Sequence, residues 1–442
     1  MTQADAYPRA LFVTPAAFNH ITGGGITFSA LFRDWPADWL ATVHNDTVPT
    51  SDDVCRQYYR LGAAEITRWP RLRAAPNNDG SAPAEAASPN FSPGLRTAKR
   101  WIAGNGWPDT GHLTPALESW IDAFKPQLLY TILGTIGMME LVDAIRRRFA
   151  LPLVVHFMDD WPSHLYRGGL LSFAARARMN RLIRRLVGAA TERMAICDAM
   201  AEAFEQRYGA PFSVYHNPVD MKAIAGWIGD AKSTEGGADT ENALRVLYVG
   251  SIFDNAQAQS LIDIARAVAA LAQGGRPIRF DLHSPLHLAE RFRSSIELAP
   301  NIRLHDTIAD DTRFFRTISA ADVLVLPVNF DPDSVRLIRY SMPTKLPAYM
   351  ASGTATLVYG PPGVAQVEYA RRQGWGYVLD RQGVAGVTEA LSQLADDETL
   401  RTKLVARAGA LAAERHDTAQ VRSAFQANLT KAAETSIPRG AE

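Results

Sequence analysis

The strongest constraint on this chain is a rhythm of short apolar runs. RALFVT (9–14), WLATVH (39–44), QLLYTI (127–132), PLVVHFM (152–158), RMAIC (193–197) and FSVYH (212–216) lie in the first half. LRVLYVG (244–250), IRFDLHS (278–284), DVLVLPV (322–328) and ATLVYG (355–360) lie in the second. Each is rich in β-formers, and helical patterns separate them. Strands that are apolar throughout, rather than alternating, are buried on both faces, which is the signature of parallel sheet covered by helices. The expected class is therefore α/β and doubly wound. A chain of 442 residues exceeds what one hydrophobic core holds, so two to three domains are expected.

Two segments interrupt the rhythm. Residues 74–94, AAPNNDGSAPAEAASPNFSPG, show no periodicity and read as a mobile surface loop inside the first half. Residues 228–242, IGDAKSTEGGADTEN, are polar and read as part of the connection between two α/β domains. The boundaries that follow are 1–219 for a first domain and 240–412 for a second, with a terminal helix over 417–436.

Composition narrows the function classes. The chain carries 46 Lys and Arg against 46 Asp and Glu, so as a whole it is no binder of polyanions, and nucleic acid is not an expected partner. Its two cysteines, Cys55 and Cys197, are far apart and have no metal-type spacing, as in a reducing cytosol. The start of the chain, MTQADAYPRALFVTP, lacks the pattern of a signal peptide. No apolar stretch reaches the ~18–20 residues of a membrane span.

Four stretches carry chemistry. In SMPTKLPAYMASGTATLVYG (341–360), Pro343 and Pro347 suit only the first turn of a helix. Ser341 or Thr344 can cap the head, and Gly353 suits its end. These features serve a plain helix. Free N–H groups, a hydroxyl and Lys345 would also hold an anion, with Arg336 and Arg339 just upstream. In TPAAFNHITGGGITFSALFRDW (14–35), Gly23, Gly24 and Gly25 follow a strand. They permit positive φ or close approach of a ligand, yet the spacing is not that of a dinucleotide fingerprint. In LPLVVHFMDDWPSHLYRGG (151–169), Asp159 and Asp160 fall at a strand's carboxyl end. One could be a general base, or one a cap and the other solvated. His156, inside that strand, reads as a core histidine. In GGLLSFAARARMNRLIRRLVGAAT (168–191), five arginines flank a helical apolar stripe. Such a helix can dock on an anionic membrane; more commonly its stripe is core and its arginines are paired or solvated.

In order along the chain, GGGIT, DDWP, AICDAMAEAFEQRYGAPFSVYHNPVD, LRVLYVGSI, ISAADVLVLPV and PTKLPAYMASGTATLVYGPPG resemble the motifs of nucleotide-sugar glycosyltransferases of the GT-B fold, in particular the large retaining family that builds bacterial surface polysaccharides. The resemblance implies two Rossmann-like domains facing across a cleft, the first for the acceptor and the second for the donor, with the terminal helix crossing back. It implies a donor site of Gly23, Gly24, Gly25, Gly250, Ser251, Arg336, Arg339, Ser341, Pro343, Thr344, Lys345 and Tyr349. Asp159 or Asp160 would act on the acceptor hydroxyl and Lys345 on the departing diphosphate. No metal and no cofactor beyond the nucleotide-diphosphate sugar are implied. The acceptor would be a glycan or polyprenyl-linked glycan, and the location cytoplasmic, with peripheral membrane contact through 168–191. Two departures stand out: Tyr340 and Ala348 occupy the places of the family's paired glutamates, and FDNAQAQS follows Gly250–Ser251–Ile252 in place of a basic Lys-Gly pair. A nucleotide-sugar epimerase on the same scaffold, or a non-catalytic sugar-binding or scaffold protein, are the alternatives.

Overall fold

The computed structural model describes residues 7–68, 108–170, 172–231 and 243–435. The segment 74–94 lies outside them, as do residues 232–242 of the expected connection. The chain divides into two units, 1–215 with 422–442, and 216–421.

The first unit is built on a seven-stranded sheet. Its strands are β1 (Ala10–Thr14), β2 (Leu40–His44), β3 (Gln57–Arg60), β6 (Leu128–Thr131), β7 (Leu153–Phe157), β8 (Glu192–Ala195) and β9 (Ser213–Val214). A separate antiparallel pair, β4 (Ile66–Arg68) and β5 (Asp109–Gly111), stands beside it. The order β3-β2-β1-β6-β7-β8-β9 is parallel throughout. Every residue of β1, β2, β6 and β7 is buried, as their unbroken apolar runs require. Chain order reverses between β1 and β6, and a crevice for ligands opens at such a point, outside the carboxyl ends. The two strand exits there press together: a Cβ on Gly134, whose φ is +136°, would meet Pro15 Cγ at 2.8 Å.

The terminal helix Thr418–Glu434 packs its Phe425 against Phe32 and Tyr130, with ring centroids 5.2 and 5.9 Å apart. It also closes the foot of the glycine helix, Gly23–Phe32. Arg422 Nε donates to the Ala30 carbonyl (3.0 Å), and Gln426 Nε2 donates to those of Leu31 (3.0 Å) and Arg33 (2.8 Å). Those last-turn carbonyls have no partner within their own helix, and a guanidinium there also suits the dipole.

The second unit carries a six-stranded sheet of β10 (Leu244–Val249), β11 (Ile278–His283), β12 (Ile302–His305), β13 (Val323–Pro327), β14 (Ala355–Tyr359) and β15 (Tyr377–Leu379). Its order, β12-β11-β10-β13-β14-β15, is again wholly parallel. The reversal falls between β10 and β13. Val246, Tyr248, Phe280, Leu282, Val325 and Leu357 face one side into an apolar core with the helix Ala258–Gln273. The chain is thus α/β with two doubly wound parallel sheets. Among the described residues, no helix is long and apolar enough to cross a membrane.

Candidate functional site

At the second reversal point, β10 delivers Gly250. Its φ of +143° is one that L side chains rarely adopt, and a Cβ there would collide with the Lys345 ammonium. The backbone calls for glycine here, and an added Cβ would also force the Lys345 side chain to move. Lys345 opens the helix Lys345–Ala351, with Pro347 still in the first turn, where its missing N–H costs nothing. Thr344 precedes it in helical geometry, and its side chain makes no capping bond. Gly353, with φ of +76°, lies just beyond the end of the helix.

The ammonium has an unusual environment. Its Nζ lies 4.0 Å from the centre of the Tyr248 ring, and Tyr248 itself is fully buried. Among the described residues no carboxylate pairs with it. Burial alone pushes its pKa down to about 7. The ring face compensates for part of the lost hydration, roughly 0.5–2 kcal/mol for such a contact. Tyr349, one turn into the same helix, anchors it to β10: its hydroxyl accepts from Val249 N (2.8 Å) and donates to the Val249 carbonyl (3.2 Å). The Tyr248 hydroxyl donates to the Ser251 carbonyl (2.7 Å) and so shapes the turn. The buried Asn217 donates from Nδ2 to the Met342 carbonyl (2.8 Å) and braces the approach to the lysine.

Gly250, Lys345 and Tyr349 are therefore gathered by direct contact. Arg336 is instead paired with Asp333 (2.8 Å), and Arg339 lies over the Tyr340 ring (5.3 Å). Ser341 is held by a backbone bond from its N–H to Ile338 (3.0 Å), the Pro343 carbonyl accepts from Leu346 N (3.0 Å), and Thr344 is exposed. Ala348 is buried within the helix.

In the first unit, the three glycines form the first turn of a helix, and none has positive φ. The positive φ that glycine permits is not used there. Asn19 supplies the physical reason for one of them: its Oδ1 accepts from Ile21 N (3.0 Å) and Thr22 N (2.8 Å), and a Cβ at Gly25 would collide with that side chain. Thr22 caps the helix by accepting from Gly25 N (3.1 Å). Gly23 and Gly24 are exposed at the head.

The two aspartates after β7 differ. Asp160 is buried and accepts Arg207 Nη1 (2.7 Å), Arg207 Nη2 (3.0 Å) and the Ser163 hydroxyl (2.6 Å). Burial works against the Arg207 charge, but the bonds and field of Asp160 outweigh it and hold that pKa above its ordinary value. A carboxylate so engaged is not a base waiting for a proton, so the reading of Asp160 as a base is corrected. Asp159 is exposed. His156 is fully buried beside Tyr130, with Nδ1 2.6 Å from the phenol oxygen; burial pushes its pKa down to about 3, which keeps it neutral.

Sequence reasoning missed Tyr248 and Asn217. Asn217 was visible in the HNPVD stretch, but nothing local revealed that its amide reaches Met342. It also missed an exposed polar group beside the glycine helix, where His20 Nε2 lies 3.0 Å from Asp53 Oδ2 and 3.3 Å from Ser51 Oγ.

The two sheets and their order define the class: the chain has the GT-B glycosyltransferase fold. Residues 66–217 match the model of the Glycosyl transferase 4-like domain. No curated protein matches in sequence. Among solved structures, Anabaena Alr3699/HepE in complex with UDP is similar over 96% of this chain and 100% of its own, at 14% identity and a TM-score of 0.62. A glycosyltransferase from Rickettsia africae is similar over 97% and 98%, at 8% identity and a TM-score of 0.61. A UDP-forming α,α-trehalose-phosphate synthase from Burkholderia xenovorans is similar over 71% and 75%, at 12% identity and a TM-score of 0.52.

Proposed function

We propose that this chain transfers a sugar from a nucleotide-diphosphate sugar to a glycan or lipid-linked glycan acceptor in surface polysaccharide synthesis. The observation that carries the reading is the Lys345 ammonium, half-buried, without a counter-charge among the described residues, and set against a backbone glycine at the carboxyl edge of a parallel sheet. A charge that has lost part of its hydration without gaining a partner is costly, and a site that leaves one is suited to an anion. Negative charge develops on the diphosphate as the sugar leaves, so a fixed cation there stabilises the transition state more than the ground state. The Anabaena structure similar to this chain has been solved with UDP-glucose, which favours a nucleotide sugar as the ligand class.

In this reading Gly250 lets the phosphates approach, and Ser251, Ser341, Pro343 and Thr344 contribute around them. Asp159 positions or deprotonates the acceptor hydroxyl, while Asp160 holds the Asp159 turn through Arg207. Gly23 and Gly24 offer N–H groups at the exposed head of their own helix. The anomeric configuration is retained, and neither metal nor cofactor takes part. The enzyme works at the cytoplasmic periphery of the membrane that carries its acceptor.

A panel of nucleotides and nucleotide sugars in a thermal-shift assay tests the reading. A true donor at 100 times its dissociation constant adds about 2.7 kcal/mol of stability. No shift from any of them, or a shift that survives Lys345→Ala, would remove the proposal. A non-catalytic role keeps one supporting observation, since Tyr340 and Ala348 supply no carboxylate. Product analysis separates transferase, epimerase and non-catalytic binder: only an epimerase converts donor alone.

A further inference from the structure

His20, Ser51 and Asp53 meet at the carboxyl edge of the first unit's sheet. His20 stands on the connection after β1, the strand at which chain order reverses. Its Nε2 lies 3.0 Å from Asp53 Oδ2 and 3.3 Å from Ser51 Oγ, both on the connection after β2. Its Nδ1 has no partner among the described residues, and the side chain is 54% exposed. The cluster is not needed to join the two connections. Ser51 N donates to the Phe18 carbonyl (2.9 Å), Ala17 N donates to Asp46 Oδ2 (3.2 Å), and the Tyr58 hydroxyl donates to the Ser51 carbonyl (2.5 Å). On the other side of His20, the buried Asn19 fixes the turn by accepting from Ile21 N and Thr22 N. An exposed ion pair adds little stability to loops already tied, so the cluster calls for a chemical explanation.

The hydrogen bonds fix which ring nitrogen carries the proton. The Ser51 hydroxyl donates to Asp53 Oδ1, so its proton is committed and its oxygen turns lone pairs toward His20. Ser51 is therefore no nucleophile activated by the ring. Asp53 also offers only lone pairs. Burial would push its carboxyl up, but the bonds from Ser51 and His20 outweigh it and hold the group below its ordinary value, ionised at neutral pH. Both neighbours of Nε2 are thus acceptors, and Nε2 carries the N–H. In the neutral ring the lone pair then lies on Nδ1. An imidazole with one nitrogen bonded to a carboxylate and the other open is suited to take up a proton. The turn around it is open too: Ile21, the next residue, is 68% exposed.

We infer that His20 is the base that takes the proton of the acceptor hydroxyl, and that Asp53 positions it. The inference rests on the proposed transfer reaction and says where its proton goes. The O–H bond of the acceptor breaks as its oxygen bonds to the anomeric carbon of the sugar. The proton passes to His20 Nδ1. The bond from that carbon to the diphosphate oxygen breaks, and the diphosphate leaves with the electron pair. Asp53 stays ionised and faces the imidazolium that forms, which Ser51 holds it ready to do. Asp159 is left to orient the acceptor.

Kinetics and NMR on the full chain test it. UDP-glucose, the ligand of the similar Anabaena structure, is the probe, with water as acceptor and UDP release as the signal. His20→Gln can still bond to Asp53 but cannot take a proton. It should slow release by at least about a hundredfold, the low end for a positioned base. Its melting temperature and the shift with UDP-glucose should stay those of the wild type. Heteronuclear NMR of the free protein should show His20 as the Nε2–H tautomer, the signal being assigned by its loss in His20→Gln. Asp53→Asn should mix the two tautomers and slow release by about tenfold or more, whereas a merely structural pair would leave the rate alone. Asp159→Asn should cost less than His20→Gln. An Nδ1–H tautomer, a His20→Gln loss below about threefold, or a loss confined to KM would overturn the inference. So would a larger loss in Asp159→Asn, which would give the proton to that carboxylate. The tautomer is read without donor, so a failed base is distinguishable from a failed donor reading.

Discussion

Asp160 and Lys345 are both charged groups at the carboxyl edge of a parallel sheet, and the protein treats them in opposite ways. Asp160 receives a two-pronged guanidinium and a hydroxyl, while Lys345 receives one aromatic face and no anion. The first carboxylate has its partners supplied from within the chain and works to hold structure. The second group has lost part of its hydration and, among the described residues, has gained no carboxylate in return. Asp160 is buried and Lys345 half-buried, so the partners each receives, more than burial alone, separate architecture from chemistry.

The contrast breaks most sharply under substitution. Lys345→Ala should lower donor-dependent turnover by at least about a hundredfold, in the range seen when one transition-state charge stabiliser is lost. It should leave the melting temperature of the free protein unchanged or raised, because an uncompensated charge has gone. Asp160→Asn should do the reverse. It strands the Arg207 guanidinium and should destabilise the first unit by about 3 kcal/mol, toward the low end for a broken buried pair because Arg207 is partly exposed. Donor binding should be kept. Calorimetry and steady-state kinetics on both variants check the pair. A Lys345→Ala protein that melts lower yet turns over normally would make the lysine structural.

A pH titration sharpens the same point. The pKa of Lys345 is about 7 in the free protein, and a bound diphosphate raises it by supplying the missing anion. Below pH 7 the group is already protonated and binding takes up no proton through it. Above pH 7 binding must draw one, so affinity for a nucleotide sugar falls as pH rises from 7 toward 9. Calorimetry in buffers of different ionisation enthalpy should record that uptake, and Lys345→Met should abolish it. Stability has the matching sign. The folded pKa lies below the 10.5 of a free lysine, so the unfolded chain binds more protons between pH 7 and 10.5. This contribution is complete above 10.5 and is lost as pH falls toward 7. His156 acts likewise in the acid range, its contribution complete above 6.5 and lost as pH falls toward 3.

Much of this fold was legible because its central strands are apolar on both sides. ALFVT, LRVLYV and VLVLP became β1, β10 and β13 almost to the residue. The strands that escaped notice are short or polar. β3 reads QYYR and is only partly buried, and β5 reads DTG. FSVYH shrank to Ser213–Val214, because an edge strand with half-exposed residues is less tightly specified. In the site, Gly250 and Lys345 were each visible by resemblance, but their collision distance was not. Neither was the partner of Asp160, 47 residues away in the chain, without which the two adjacent aspartates look interchangeable. Glycine triplets read as room for a ligand, whereas Gly25 is small because Asn19 fills its space.

The smallest effect belongs to Tyr349, which joins the lysine helix to β10. The strands β10 and β13 pair only at Val246–Val323 and Leu247–Leu324. Beyond those rows the ladder ends, so Val249 N–H has no strand partner and takes the Tyr349 hydroxyl instead. Tyr349→Phe keeps the ring, which is wholly buried, and removes only that oxygen. It should cost about 1–3 kcal/mol, the penalty for leaving a buried donor unsatisfied. Because this bond ties the lysine helix to Val249, next to Gly250, affinity for nucleotide sugar should fall a few-fold while the Lys345 proton uptake persists. If stability falls and affinity does not, the hydroxyl only mends the end of the sheet, and the ammonium is held in place by Gly250 and Tyr248 without it.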